Sequence, residues 1–262
     1  MNTAPAIGLP CPTVASLTRD LRRLGLQDGD IVFVHSSMRS LGPLENGAQT
    51  VVDALASAVG CGGLVLMPSF HLIERSQRAE QWQIGSSEAT TGWLTEFFRR
   101  MPGTVRSDHY SHSVAARGHN AADWVTGQGP DTGLKSPWDL SPWMKTFGDR
   151  SPLFRCYQRG AKVLMLGTSY HNLTFLHLVE VMDWNRRLAA DPTADFRWLD
   201  REAAGRWWES QTSQKHAAVA CARGTLFDVR QFINTLLDFV RTDSSLFKSW
   251  PGTIPSKSHS TS

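Results

Sequence analysis

The stretch "YHNLTFLHLVEVMDW", residues 170–184, follows an apolar run and a glycine. On a helix, Thr174, His177, Glu180 and Trp184 fall on one face by the three- and four-residue rule. A carboxylate within reach of an imidazole fixes its tautomer and stabilises its cation, which makes a general base. The competing reading is a core histidine on an amphipathic helix with Glu180 in solvent, and spacing alone does not separate the two. HxxE also occurs in metal sites, but no HExxH and no third ligand at a suitable spacing accompany it.

Three other segments carry reactive side chains. In "VHSSMRSLGPLENGAQT" a buried strand ends at His35, Ser36 and Ser37, and a helix starts near Gly47. Hydroxyls and free backbone N–H groups at such a junction suit phosphates, although the alternative is a turn with cap residues. No GxxxxGK[ST] loop exists in the chain. In "RSDHYSHS", His109 and His112 lie beside Arg106 and Asp108. Residues three apart in an extended segment point to opposite faces, so shared metal ligation is disfavoured, and an ordered polar turn is equally compatible. "LGTSY" follows a strand but is not GxSxG, which argues against a serine nucleophile. Cys156 and Cys221 are expected to be buried. With Cys11 and Cys61 they show no CxxC spacing and no disulfide framework.

The elements that must position these residues are legible. "TVASLTRDLRRLGL" has helical periodicity, "IVFV" is a buried strand, and "AQTVVDALASAV" is a helix closed by "GCGG". "LVLM" gives a second strand and completes a β-loop-α-β unit of the parallel type. "TGWLTEFFRRM" is a helix, and "PGTVRSDHYSHSVAA" leads into a strand. Residues 127–150 form a long Gly-, Pro-, Ser- and Trp-containing loop, a length that in a compact domain is often functional. "SPLFRCYQRG" is a helix with a Ser cap and Pro in its first turn, "AKVLMLG" a strand, and "TFLHLVE" starts a helix that runs to about Arg187. "FRWLD", "GRWWES" and "HAAVAC" are read as antiparallel strands, and "FDVRQFINTLLDFV" as a closing helix. The expected fold class is α/β, a mixed β-sheet flanked by helices. Residues 1–250 are expected to form a single domain and residues 251–262 a disordered tail.

With 262 residues, 41% hydrophobic and 19% charged, the composition is that of a folded globular protein. A net charge of +3 without clustered Lys/Arg argues against nucleic-acid binding. No apolar run reaches the length of a membrane helix, and no signal-peptide pattern opens the chain, so a cytoplasmic location is expected.

Taken in order, "GDIVFVHSSMRSLGPLENGAQTVVDAL", "LVLMPSF", "GWLTEFFRRMPGTVRSDHYSHSVAARG", "SPLFRCYQRGAKVLMLG" and "TFLHLVE" resemble the aminoglycoside 3-N-acetyltransferase family. The resemblance covers roughly residues 15 to 185 and continues weakly through "GTLFDVRQFI". It implies an α/β fold unlike that of the GNAT acetyltransferases. It implies acetyl-CoA as donor and, as acceptor, the 3-amino group of a 2-deoxystreptamine aminoglycoside, with antibiotic resistance as the consequence. It further implies direct transfer without metal; separately, a monomer or homodimer is expected. Carried onto this chain, it implies that His35, Ser36, Ser37, Arg39 and Ser40 meet coenzyme A. His177 would be the general base and Glu180 its orienting carboxylate. His112 would join the catalytic group, with Ser113 beside the thioester. A polycationic acceptor also needs carboxylates, for which Asp183, Asp149 and Asp108 are candidates, with His109 alongside.

Departures from the family pattern are Tyr110 in place of a proline, Leu173 in place of a small polar residue, and "HLIERSQRAEQWQIGSSE" after "MPSF". Three alternatives stay open: the same chemistry on another amine, a CoA-binding protein without catalysis, and a CoA-thioester hydrolase.

Overall fold

The computed structural model describes residues 11–128 and 132–249. The expected tail at 251–262 lies outside them. Its strands are β1 (Ile31–Ser36), β2 (Leu64–Pro68), β3 (Val105–Arg106), β4 (Val114–Gly118), β5 (Gly133–Leu134), β6 (Phe147–Gly148), β7 (Lys162–Leu166), β8 (Arg197–Leu199), β9 (Lys215–Val219), β10 (Ala222–Asp228) and β11 (Phe247–Ser249). The helices are α1 (Val14–Leu24), α2 (Met38–Leu41), α3 (Ala48–Val59), α4 (Arg78–Gln81), α5 (Trp93–Arg100), α6 (Ala121–Val125), α7 (Pro152–Arg159), α8 (Phe175–Ala190), α9 (Arg201–Gln211) and α10 (Val229–Thr242).

Seven strands form one sheet in the order β3-β4-β2-β1-β7-β10-β9. The central pairs β1–β2 and β1–β7 are parallel, and every other pair in the sheet is antiparallel. The continuous apolar runs follow from burial on both faces. Along β1, Val32 and Val34 pack into the core beneath α1, α3 and α5, while Phe33 packs into the opposite core with residues of α7, α8 and α10. Two short ribbons, β5–β6 and β8–β11, lie outside this sheet.

The C-terminal ends of the three parallel strands lie together, where α/β sheets bind ligands. Gly167 makes the turn after β7 with φ +62°. A Cβ there would sit 2.3 Å from the Cβ of Ser40, so glycine allows the turns after β1 and β7 to touch.

Two expectations are corrected. "GRWWES" is not a strand but part of α9: Asp200 accepts the Ala203 N–H as N-cap, and Ala204 and Trp208, four residues apart, are buried on one face. Cys221 is exposed, because it sits beside Ala220 in the tight turn between β9 and β10. Cys156 is buried as expected, and all four cysteines are free. The loop at 127–150 has a framework of its own, the β5–β6 ribbon, and it carries Trp138 into the core. No helix among the described residues is long and apolar enough to cross a membrane.

Candidate active site

A cleft of about 980 Å³ opens over the ends of β1, β2 and β7. That volume is at the upper end for small-molecule sites. His35, Ser36, Ser37 and Arg39 line one side, and His112 and His177 line it as well. Thr168 enters from the turn after β7.

The first turn of α8 places His177 over the cleft and Glu180 behind it. His177 Nδ1 lies 2.8 Å from Glu180 Oε2, and the other carboxylate oxygen accepts the Leu199 N–H at 2.9 Å. Arg201 donates to His177 Nε2 at 2.5 Å. These partners fix the tautomer. Nε2 accepts from a guanidinium that cannot give up its proton, so the ring hydrogen is on Nδ1 and is donated to Glu180. Both Glu180 oxygens therefore face donors, the arrangement of a carboxylate.

Burial pushes the Glu180 carboxyl up to about 8, opposed by the Leu199 N–H and the Arg201 charge. Burial, and then Arg201, holds His177 well below the ordinary histidine range. The imidazole is thus neutral, and while Glu180 is ionised its Nε2 lone pair is turned toward the cleft. Trp138 and Trp198 close around it, with ring centroids 4.8 and 4.9 Å from His177. Tyr110 fixes the first of these, donating its hydroxyl to the Trp138 carbonyl at 2.9 Å.

His112 faces His177 edge-on at 5.8 Å, and its Nδ1 lies 2.9 Å from the Ser111 hydroxyl. His35 accepts the Thr174 N–H at 3.5 Å, and burial, then Arg201, takes it down to about 3. Ser37 caps α2, accepting from the Ser40 N–H at 3.3 Å. Its own N–H is spent on the Leu166 carbonyl, which leaves the Ser37 hydroxyl as its contribution to the cleft. No group of three or more His, Cys, Asp or Glu among the described residues could hold a metal.

A family model described as aminoglycoside 3-N-acetyltransferase matches residues 33–235. The chain belongs to the aminoglycoside 3-N-acetyltransferase family. Aminoglycoside N(3)-acetyltransferase VIII of Streptomyces fradiae is 32% identical over 185 residues, which span 64% of this chain and 60% of that protein. The chain thus matches only three fifths of that relative's length. Aminoglycoside N(3)-acetyltransferase IV of a Salmonella species is 28% identical over 250 residues, covering 89% of each. A crystal structure of a histidine-to-alanine variant of the aminoglycoside acetyltransferase AAC(3)-IVa in complex with gentamicin superposes with a TM-score of 0.72 at 26% identity, covering 94% of this chain and 95% of that one.

Several sequence candidates of this family member do not reach the cleft. Ser40 is turned inward, bonding the Ser37 hydroxyl and the Gly167 carbonyl at 3.0 Å each. Ser113 is fully buried and donates to the Ser69 carbonyl at 2.5 Å. His109 is fully buried, its Nδ1 accepting the N–H groups of Ser111 and His112. The two histidines therefore share a turn rather than an extended segment. Asp108 accepts from the indoles of Trp82 and Trp143 at 2.7 and 3.0 Å. Asp183 is buried and held by Arg186 and Arg187 at 2.8 Å each, and Asp149 is exposed away from the cleft. Leu173 is fully buried core, so that departure does not alter the cleft wall. Arg78, Trp138, Trp198 and Arg201 line the cleft without being among the sequence candidates. Only Trp138 had a signal, the long loop that carries it.

Proposed function

We propose that the protein is an acetyl-CoA-dependent N-acetyltransferase that acetylates a primary amine of a small molecule by direct transfer. The observation that carries this is the neutral His177 imidazole, oriented by Glu180 with Nε2 toward the cleft, in a chain of this family. His177 Nε2 takes a proton from the acceptor nitrogen as that nitrogen forms a bond to the thioester carbonyl carbon. The tetrahedral oxyanion needs donors, for which the Ser37 hydroxyl is the candidate. Collapse breaks the carbon–sulfur bond, and the proton held by His177 passes to the departing thiolate. Arg201 has to leave Nε2 before the acceptor can reach it. Ser37 and Arg39, at the ends of β1 and α2, would hold coenzyme A. His112 and the two tryptophans would keep water from the thioester.

The test is release of CoA thiol followed with and without an amine. Release only when an amine is present is expected. Release without any amine would make the protein a hydrolase, and tight CoA binding with no turnover on any amine would make it a binding module. His177→Ala is expected to lower turnover about 10³-fold while CoA affinity stays within about twofold. Unchanged turnover would remove His177 from the chemistry.

A further inference from the structure

The charges around the cleft do not suit a polycationic acceptor. Arg39, Arg78, Arg201 and Lys248 line it, against Asp200 and Glu202. Lys248 and Asp200 satisfy each other at 2.6 Å. Among the described residues this leaves three lining guanidiniums with no carboxylate at ion-pair distance. One lining carboxylate, Glu202, has no cation there and accepts only the His171 N–H at 3.0 Å. The three aspartates that could have received ammonium groups are turned away or already engaged.

Position decides what these guanidiniums serve. Arg39 adjoins Ser37, in the segment assigned above to coenzyme A. Arg201 touches the base itself at 2.5 Å, and the pantetheine arm separates the thioester from the CoA phosphates, so Arg201 stands at the reacting end. Arg78 donates to the Ile73 carbonyl at 2.7 Å and lines the same cleft as His112 and His177. Arg201 at the base and Arg78 in the same cleft, neither with a carboxylate at ion-pair distance among the described residues, repel an acceptor with several ammonium groups and attract one with an anionic group.

We infer that the acceptor is a monoamine that also carries a carboxylate or phosphate group, held by Arg201 and Arg78 while its nitrogen meets His177. The inference rests on the acyltransferase reading above. It also explains the contact between Arg201 and Nε2: pairing with the acceptor's anion draws Arg201 off the lone pair, so the base is uncovered only when such an acceptor is in place.

A matched series tests it. CoA release by the full chain is measured with glucosamine, its phosphate-bearing form glucosamine 6-phosphate, its carboxylate-bearing form muramic acid, and the polycations kanamycin and gentamicin. At least one anionic form is expected to exceed glucosamine and both polycations about tenfold in kcat/KM, and the comparison of the two tells phosphate from carboxylate. Arg201→Gln and Arg78→Gln are expected to bring the series to within about threefold. Kanamycin or gentamicin equalling the anionic amines, or no difference along the glucosamine series, would overturn it. The same ligands are also titrated into CoA-saturated His177→Ala protein, where no turnover is needed. If no amine is turned over, the acyltransferase reading fails and this binding decides alone. Preference for an anionic form supports the inference, and preference for a polycation, no preference or no binding overturns it.

Discussion

His109 makes the protein sensitive to acid in a way one substitution can isolate. The side chain is fully buried, and its Nδ1 accepts two backbone N–H groups, from Ser111 at 3.2 Å and His112 at 3.0 Å. Its Nε2 therefore carries the hydrogen and has no partner among the described residues. A second proton would have to enter on Nδ1, against both donors and without solvent. Burial accordingly takes this histidine from 6.5 down to about 3.

The sign follows from linkage. Between the two values the unfolded chain binds the proton and the folded chain does not, so stability is complete above the unfolded value and falls as the pH drops toward 3. From about pH 7.5 to about pH 5, this one side chain costs about 2 kcal/mol. In His109→Asn, Oδ1 can accept the same two N–H groups, and the titration is gone. Urea unfolding of both proteins at the two pH values gives the measurement. The variant is expected to lose about 2 kcal/mol less than the parent over the interval, whatever its absolute stability. Equal losses in the two proteins would refute the account, because every other titrating group is common to both.

Four further outcomes are expected. Glu180→Gln presents an N–H to Nδ1, which moves the ring hydrogen to Nε2 and fills the base's lone pair. Turnover is expected to fall by about 10² to 10⁴, as a wrong tautomer does elsewhere, and a loss below tenfold would deny Glu180 its orienting role. Because burial raises Glu180 to about 8, kcat at saturating amine is expected to fall as the pH drops through that value. A profile bending instead at an ordinary histidine value would contradict the dyad. Cys11, Cys61 and Cys221 are expected to react with a thiol reagent in the native protein, and Cys156, buried with its thiol pushed up, only after unfolding. Tyr110→Phe frees the Trp138 carbonyl and is expected to raise the acceptor KM severalfold with CoA affinity kept; an unchanged KM would show that the loop holds Trp138 without it.

Much of the sheet was legible because its central strands are buried on both faces, so they read as unbroken apolar runs, and the helices beside them have clear caps. His177 and Glu180 were legible because both lie on one helix, where spacing fixes geometry. The charged candidates were not. Asp183 is on that same helix, yet Arg186 and Arg187 at the next turn take it up, and only the structure shows which partner wins. Trp198 and Arg201 were hidden by distance in the chain, and Arg201 also by a wrong period: two tryptophans in "GRWWES" suggested a strand where packing makes the helix that Arg201 begins. Tyr110 was visible only as a departure from the family pattern. It anchors Trp138, a contact between residues 28 apart that no local pattern encodes.

The assembly of the dyad depends on a segment far from it. Residues 198–201 supply the Trp198 wall, the Leu199 N–H on Glu180 and the guanidinium on His177. That segment is held by the last described strand: β11 pairs with β8, the Asp200 N–H reaches the Leu246 carbonyl at 2.8 Å, and Lys248 pairs with Asp200. None of these contacts belongs to the seven-stranded sheet. Deletion of residues 244–262 should therefore leave a cooperatively folding protein with its sheet intact and release the 198–201 segment. Without the Leu199 N–H and the Trp198 wall, Glu180 loses one of the two donors that fix its carboxylate and the cover over the dyad, so the imidazole is no longer held in place. The expected result is turnover lowered about tenfold or more. A truncated protein with the parent's kcat would mean that Glu180 orients His177 without this support.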